Sequence, residues 1–325
     1  MSDSLSPAAV TLAGLTTASL VKYVASAWIS SRAVSHKDFE YVGTVKELNV
    51  YPVKSLRGLS VQTAKSTTLG LHYGGVGDRN WVIRTADGGY VTQRQEPSLA
   101  LVRTRLQDDK LLLDAPGMDT LDLPIHPQIV STMMKEVQIK TDVTPCLDCG
   151  DKAGSWVDQY LKRKGLRIVF CPPDTEKRDA INAKKLWEHN AKEGDLLAFQ
   201  DYCGYMLMTT SSLDALNQKL TKKVTMHPFR PNIVVDGPPA FDEDRWTEVR
   251  IGNSTFRTID MCTRCIFTTV DQETGIKSKD EEPLKTLKTF RVRPPYNPKP
   301  VLGIHLAMDT SDHIKVGDKV YVKRQ

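Results

Sequence analysis

Short alternations of apolar and polar residues, each closed by a turn residue, recur along this chain and restrict it to a β-rich fold. The first is Gly43-Thr44-Val45-Lys46-Glu47-Leu48-Asn49-Val50-Tyr51, with the period of a half-buried strand. Pro52 removes a ladder donor, so Val53 to Gly58 reads as a polar loop. Trp81 to Arg84, Tyr90 to Thr92, Leu99 to Leu106 and Leu111 to Leu113 are predicted strands, divided by Asp87-Gly88-Gly89 and Asp108-Asp109 turns. Pro231 to Val235, Trp246 to Ile251, Ser254 to Ile259 and Ile266 to Val270 read the same way, and Ile314 to Val322 resembles a terminal barrel hairpin. Helical spacing is confined to Ser155 to Lys164 and to Ser211 to Leu220, the second capped by Thr210, Ser211 or Ser212. Asp174 to Glu193, charged and poor in apolar residues, is a connection or a solvated helix. The expectation is an α+β fold, predominantly β, in two subdomains over residues 43–175 and 176–325.

The N-terminus stands outside that pattern. Ala8 to Val21 carries no charge, Lys22 interrupts, and Tyr23 to Ile29 is apolar again. A span needs roughly 20 apolar residues, so residues 1–32 form a membrane anchor if Lys22 snorkels, or else a targeting segment or a loosely attached amphipathic one. Arg32 and Lys37 follow it and only Asp3 precedes it, which would place the bulk of the chain on the cytosolic side.

Charge narrows the class of ligand. The net balance of +5 is modest, and Lys54, Arg57, Arg79 and Arg230 are scattered instead of forming a basic run interleaved with aromatics. That suits one small anionic ligand better than a nucleic-acid track. Six cysteines in 325 residues do not make a disulfide framework, which points to a reducing compartment.

The densest chemistry is in Met261-Cys262-Thr263-Arg264-Cys265, where a cationic side chain favours a thiolate beside it. Cys146 and Cys149 share the C-x-x-C spacing with Cys262 and Cys265, so four thiolates could close a zinc site, but the pairs are far apart in sequence for a zinc ribbon. A thioredoxin-like pair would want a helix after the motif, whereas β-branched residues follow it. Cys265 is the candidate reactive thiol, and Cys262 reads as a small buried hydrophobe.

Four separated pieces resemble the MOSC family: Tyr51-Pro52-Val53-Lys54-Ser55, Gly77-Asp78-Arg79-Asn80-Trp81, Phe229-Arg230-Pro231-Asn232 and Cys262-Thr263-Arg264-Cys265. Asp271-x-x-Thr274-Gly275 and Val316-Gly317-Asp318 extend the resemblance, which runs from about Gly43 to the C-terminus. It implies a MOSC-associated N-terminal β-barrel domain followed by a MOSC β-barrel domain. In the amidoxime-reducing branch the implied cofactor is the molybdenum cofactor, a metal held by the dithiolene of a pterin and by one protein cysteine. Cys265 occupies that ligand position. A soft thiolate suits the metal, with Arg264 beside it. Lys54, Ser55, Arg79 and Arg230 are implied anchors of the pterin phosphate, with Asn232 and Thr263 as polar supports. Asp201 matches a family acid, as proton donor or polar wall. Tyr202 and Cys203 depart from the small hydroxyl residues expected after it.

The implied activity is reduction of amidoximes, hydroxylamines and N-oxides. No strand-linked G-x-G-x-x-G and no cysteine after Cys265 offers an internal electron source. The resemblance therefore implies cytochrome b5 and its NADH-dependent reductase as donors, and a mitochondrial outer membrane location facing the cytosol or another cytosol-facing membrane. A monomer is expected. The rivals are a cofactor carrier or sulfur-transfer protein of the sulfurase C-terminal type, and a non-catalytic membrane-tethered scaffold.

Overall fold

Seven strands close on themselves, because each has an apolar face that only neighbouring strands can cover, and closure leaves no edge. In the computed structural model, which describes residues 38–182 and 187–325, they are β1 (Glu40–Val50), β2 (Tyr205–Thr209), β3 (Ile233–Asp236), β4 (Trp246–Ile251), β5 (Ser254–Thr263), β6 (Val301–Thr310) and β7 (Lys319–Arg324). Around the barrel the order is β1, β3, β2, β6, β5, β4, β7 and back to β1. Only the β2–β3 pair is recorded as parallel; the other registered pairs are antiparallel. Leu48, Tyr205, Leu207, Trp246, Phe256 and Ile304 fill the interior.

β2 and β3 are buried on both faces. Met206, Met208 and Val234, the alternate residues, pack outside the barrel with Leu216 and Leu287. Those two leucines come from helices α2 (Thr210–Asn217) and α3 (Leu284–Phe290); α1 is Asp151–Leu161. These are the three α-helices among the described residues.

Most of the first half surrounds a second core. Strands at 81–84, 134–139, 142–148 and 167–170 form a four-stranded antiparallel sheet, and 103–107, 110–114 and 121–124 a three-stranded one. Trp81, Ile83, Leu111 and Leu113 meet Trp156 and Val157 of α1 there. β1, however, belongs to the barrel whose other strands all follow residue 204. Residues Tyr41–Gln325 form one compact unit.

The chain departs from its predicted elements at several places; the strand predicted from Leu99, for one, begins only at Arg103, because Pro97–Leu101 is a 3-10 turn. Ile266–Thr269 is a 3-10 turn, not a strand: the Thr268 and Thr269 hydroxyls bond back to the carbonyls of Cys265 and Ile266 at 2.9 and 2.7 Å. Thr209 caps α2, accepting from Ser212 N at 3.2 Å. The terminal hairpin is absent, because His313–Lys315 pairs with Thr63–Lys65 while β7 pairs with β4. Tyr90 to Thr92 contributes a single bridge, to Arg84, and no strand. The proposed anchor, residues 1–32, lies outside the described residues. Among those described, no helix is long and apolar enough to cross a membrane.

Gly303 shows how tightly the barrel is packed beside the cleft. Its φ is +73°, and an added Cβ would lie 2.5 Å from the Leu207 carbonyl oxygen. Since the left-handed conformation alone costs an L-residue about 1–2 kcal/mol, Gly303→Ala is expected to lower the melting temperature by several degrees; an unchanged melting curve would refute this.

Candidate active site

Five turns converge on one cleft of about 670 Å³: the loop after β1, the turn before the strand at 81–84, the segment before β2, the turn before β3 and the turn after β5. All nine sequence-predicted site residues line it: Lys54, Ser55, Arg79, Asp201, Arg230, Asn232, Thr263, Arg264 and Cys265. Residues from both halves of the chain therefore build one site.

Its frame is a buried carboxylate. Asp78 is fully buried and its Oδ1 accepts from Tyr51 N at 2.8 Å and from Asn232 Nδ2 at 2.9 Å, while its Oδ2 ion-pairs with Arg79. Asn232 spends its remaining amide capacity on Asn49 O and Met206 N. Asn232 is thus an internal brace between β1, β2 and β3, not a residue with a free donor for a ligand.

Three lining residues have left-handed backbones: Ser55 at φ +70°, Arg79 at +55° and Arg230 at +56°. Non-glycine residues hold that conformation only where surrounding bonds impose it, and such sites cluster where function demands a fixed aim. Here the bonds are visible: Arg79 N donates to Tyr51 O at 2.7 Å, and Arg230 N to His227 O at 3.1 Å. The Arg79 and Arg230 guanidiniums lie 5.0 and 4.1 Å from the centre of the same Tyr51 ring. One aromatic ring thus serves two like charges.

Arg230 offers a buried donor to a ligand. Its Nη1 donates to Leu56 O at 2.6 Å, but its buried Nη2 has no partner. Burial and the nearby Arg79 charge pull its pKa down to about 10. A buried donor left unpaired is costly, and an anion in the cleft would satisfy it. Lys54 is already engaged, donating to Phe199 O at 2.7 Å and to Asp201 Oδ1 at 2.5 Å. Burial lowers its pKa to about 8.

Asp201 answers one alternative left by the sequence. Enclosure in the cleft opposes its ionisation, but Lys54, Lys140 and Arg94 outweigh that and hold it well below the usual carboxylate range. It is a paired carboxylate and polar wall, so the proton-donor role does not suit it.

Arg264 is tied into the surrounding turns. Its Nε and Nη2 donate to Leu302 O at 2.9 and 2.6 Å, its Nη1 to Phe229 O at 3.0 Å, and Nη2 also faces the Met206 and Met208 sulfurs. All three nitrogens are spent tying the Cys262–Cys265 turn to β6 and to the Phe229-Arg230 turn. These bonds make it a residue that positions the site.

The two cysteines of the motif separate as expected in exposure but not in chemistry. Cys265 is exposed and caps the 3-10 turn. Cys262 is buried, yet it is not the inert hydrophobe the sequence suggests: although burial opposes ionisation, Arg264 and a hydrogen-bonded His305 bring its pKa down to about 7. The zinc reading finds no counterpart, since no group of three or more metal-ligating side chains exists among the described residues. Sequence reasoning also missed Tyr51, Asp78, Arg94, Lys140, Asp260 and His305. Tyr51 and Asp78 stood inside motifs already singled out; the others have no local signal, because the barrel brings them in from distant strands and loops.

An exposed soft sulfur donor, an unpartnered buried guanidinium and further cations in one enclosed space suit a soft metal carried on an anionic organic group. Comparison with known proteins identifies the family. Residues 42–164 match the family described as "MOSC N-terminal beta barrel domain" and residues 195–321 match "MOSC domain". The chain is similar to mitochondrial amidoxime reducing component 2 of Bos taurus, 39% identical over 300 residues covering 91% of this chain and 88% of that one. It is 36% identical over 310 residues to component 1 of Mus musculus, covering 92% and 88%, and 35% identical over 291 residues to component 1 of Homo sapiens, covering 88% and 85%.

Proposed function

Because this chain belongs to the MOSC-domain family that includes the amidoxime reducing components, we propose that it is a molybdenum-cofactor-dependent reductase of N-oxygenated compounds. Its substrates would be amidoximes, hydroxylamines and N-oxides. The observation that carries this reading is the meeting of the exposed Cys265 thiol and the unpartnered Arg230 donor in one cleft. Cys265 would ligate the metal, and Arg230, with Arg79, Lys54 and Ser55, would hold the pterin phosphate. When bound, the cofactor supplies two electrons. The chain itself binds and orients: Asp201 fixes Lys54, Asp78 fixes Arg79, and Arg264 fixes the turn that presents Cys265.

Metal and pterin analysis of the purified protein, followed by benzamidoxime turnover with a supplied electron donor, tests the reading. Protein that holds the cofactor without turnover would be a carrier, and protein without it a scaffold. A charge-assisted hydrogen bond is worth about 1.5–3 kcal/mol, so Arg230→Ala is expected to lower pterin retention roughly 10-fold or more. Pterin content equal to that of the parent would remove Arg230 from the phosphate site.

Cytochrome b5 and its NADH-dependent reductase are the proposed donors, and the mitochondrial outer membrane facing the cytosol is the proposed location, with residues 1–32 as anchor. A net charge of +5 and the basic cleft residues Arg94, Lys140 and Lys299 favour an acidic donor. Turnover with cytochrome b5 is then expected to slow as ionic strength rises. Rapid, salt-insensitive NADH oxidation by the chain alone would contradict this.

A further inference from the structure

Asp260, His305 and Cys262 form a second chemical unit in the same cleft, one that the phosphate and metal positions do not use. Asp260 and His305 face each other across β5 and β6, and the His305 Nδ1 lies 2.6 Å from Asp260 Oδ1. The other carboxylate oxygen accepts from Trp187 Nε1 at 2.9 Å, so the carboxylate is held from both sides. His305 and Cys262 both line the cleft that Cys265 lines.

Resting on the reductase reading above, we propose that His305 is the catalytic acid of the cleft, delivering a proton to the oxygen that leaves an N-hydroxylated substrate, with Asp260 as its positioning residue. Reduction of R–NHOH to R–NH2 and water consumes two electrons and two protons as the N–O bond breaks. The electrons come from the reduced molybdenum cofactor. One proton passes from His305 Nε2 to the departing oxygen, which leaves as water, and the second reaches nitrogen from solvent. Nδ1 is committed to Asp260, so Nε2 carries the transferable proton.

Asp201, Lys54, the arginines and Tyr202 are unsuited to that task. Asp201 is held ionised by Lys54 and Lys140. Lys54 is bound to Asp201 and Phe199 O. Arginines do not release protons at working pH. Burial, then Asp260, push the Tyr202 hydroxyl far above its ordinary value.

The groups facing His305 are Asp260 and Cys262 from β5, Tyr202 and Cys203 from the segment before β2, and Tyr296 from the segment before β6. Burial opposes a charged imidazole, but Cys203, Cys262 and Asp260 together raise His305 well above the usual imidazole range. The protonated form is the active one. Turnover should therefore be flat at low pH and fall as pH rises through the His305 value.

Two measurements on the full-length protein decide the matter. In the first, histidine-labelled protein is titrated by NMR, with the His305 signal identified by its loss in His305→Gln. An imidazolium persisting well above the usual imidazole range is expected, with the transition moved down in Asp260→Asn. A neutral ring at pH 7 in the parent would overturn the proposal. In the second, His305→Gln is expected to lower kcat for benzamidoxime by about 100-fold or more, with KM and molybdenum content near the parent's and the alkaline fall of kcat gone. Parental kcat and pH profile, or activity lost only in proportion to molybdenum in both variants, would also overturn it. A parent that holds the cofactor and never turns over would instead defeat the reductase reading, and the NMR titration would still judge the state of His305.

Discussion

Cys265→Ser is expected to lower turnover of an N-hydroxylated substrate by more than about 100-fold, since altering even outer-shell partners of a metal ligand typically costs 10- to 100-fold. The reason is positional as well as chemical. β5 ends at Thr263, Arg264 is locked to β6 and to the Phe229 carbonyl, and the Thr268 hydroxyl closes the next turn on the Cys265 carbonyl. That leaves the Cys265 side chain exposed at the cleft while its backbone is held on both flanks. Serine preserves the shape and removes the soft thiolate, so the fold should survive and the metal should not stay fully ligated. Circular dichroism should match the parent, with molybdenum or activity lost. Cys262→Ala, by contrast, should retain molybdenum. A fully active Cys265→Ser enzyme would exclude Cys265 as the metal ligand.

The sequence shows which turns matter but not how their side chains divide the work. Pro52, Pro231 and the two left-handed arginines sit in short polar loops between apolar runs, and such loops are legible from residue type alone. Arg264 and Arg230 look equivalent as letters. Their roles diverge because Arg264 enters a pocket of carbonyls and thioethers, whereas Arg230 keeps one nitrogen unpartnered. β2 escaped notice because every residue of Tyr205–Thr209 is buried, so the strand shows no alternation. β6 contains His305 and Gly303, neither of which signals a strand, and its place is set by pairing with β5 and β2. The Asp260–His305 pair joins residues 45 positions apart. Only the strand register brings them together.

The largest expected effect on stability comes from Asp78, whose role is structural and yet decides the aim of the phosphate site. Asp78→Ala would remove the acceptor for Tyr51 N and for Asn232 Nδ2, and leave the Arg79 guanidinium without its buried counter-charge. Burial disfavours that cation, and it is the Asp78 charge and hydrogen bond that raise the Arg79 pKa above its ordinary value. Breaking such a pair from one side typically costs about 3–5 kcal/mol, a large share of the roughly 5–15 kcal/mol that holds a protein folded. Asp78→Asn keeps an oxygen acceptor and loses only the charge, so it should fall between parent and alanine. The ordering predicted for chemical unfolding midpoints is parent, then Asn, then Ala. Pterin content should fall in the same order, because Arg79 and Arg230 share the Tyr51 ring that Asp78 anchors through its backbone. If Asp78→Ala unfolded at the parental midpoint with full pterin content, the carboxylate would not be the brace of this site, and the left-handed backbones at Arg79 and Arg230 would have to be held by their own turns.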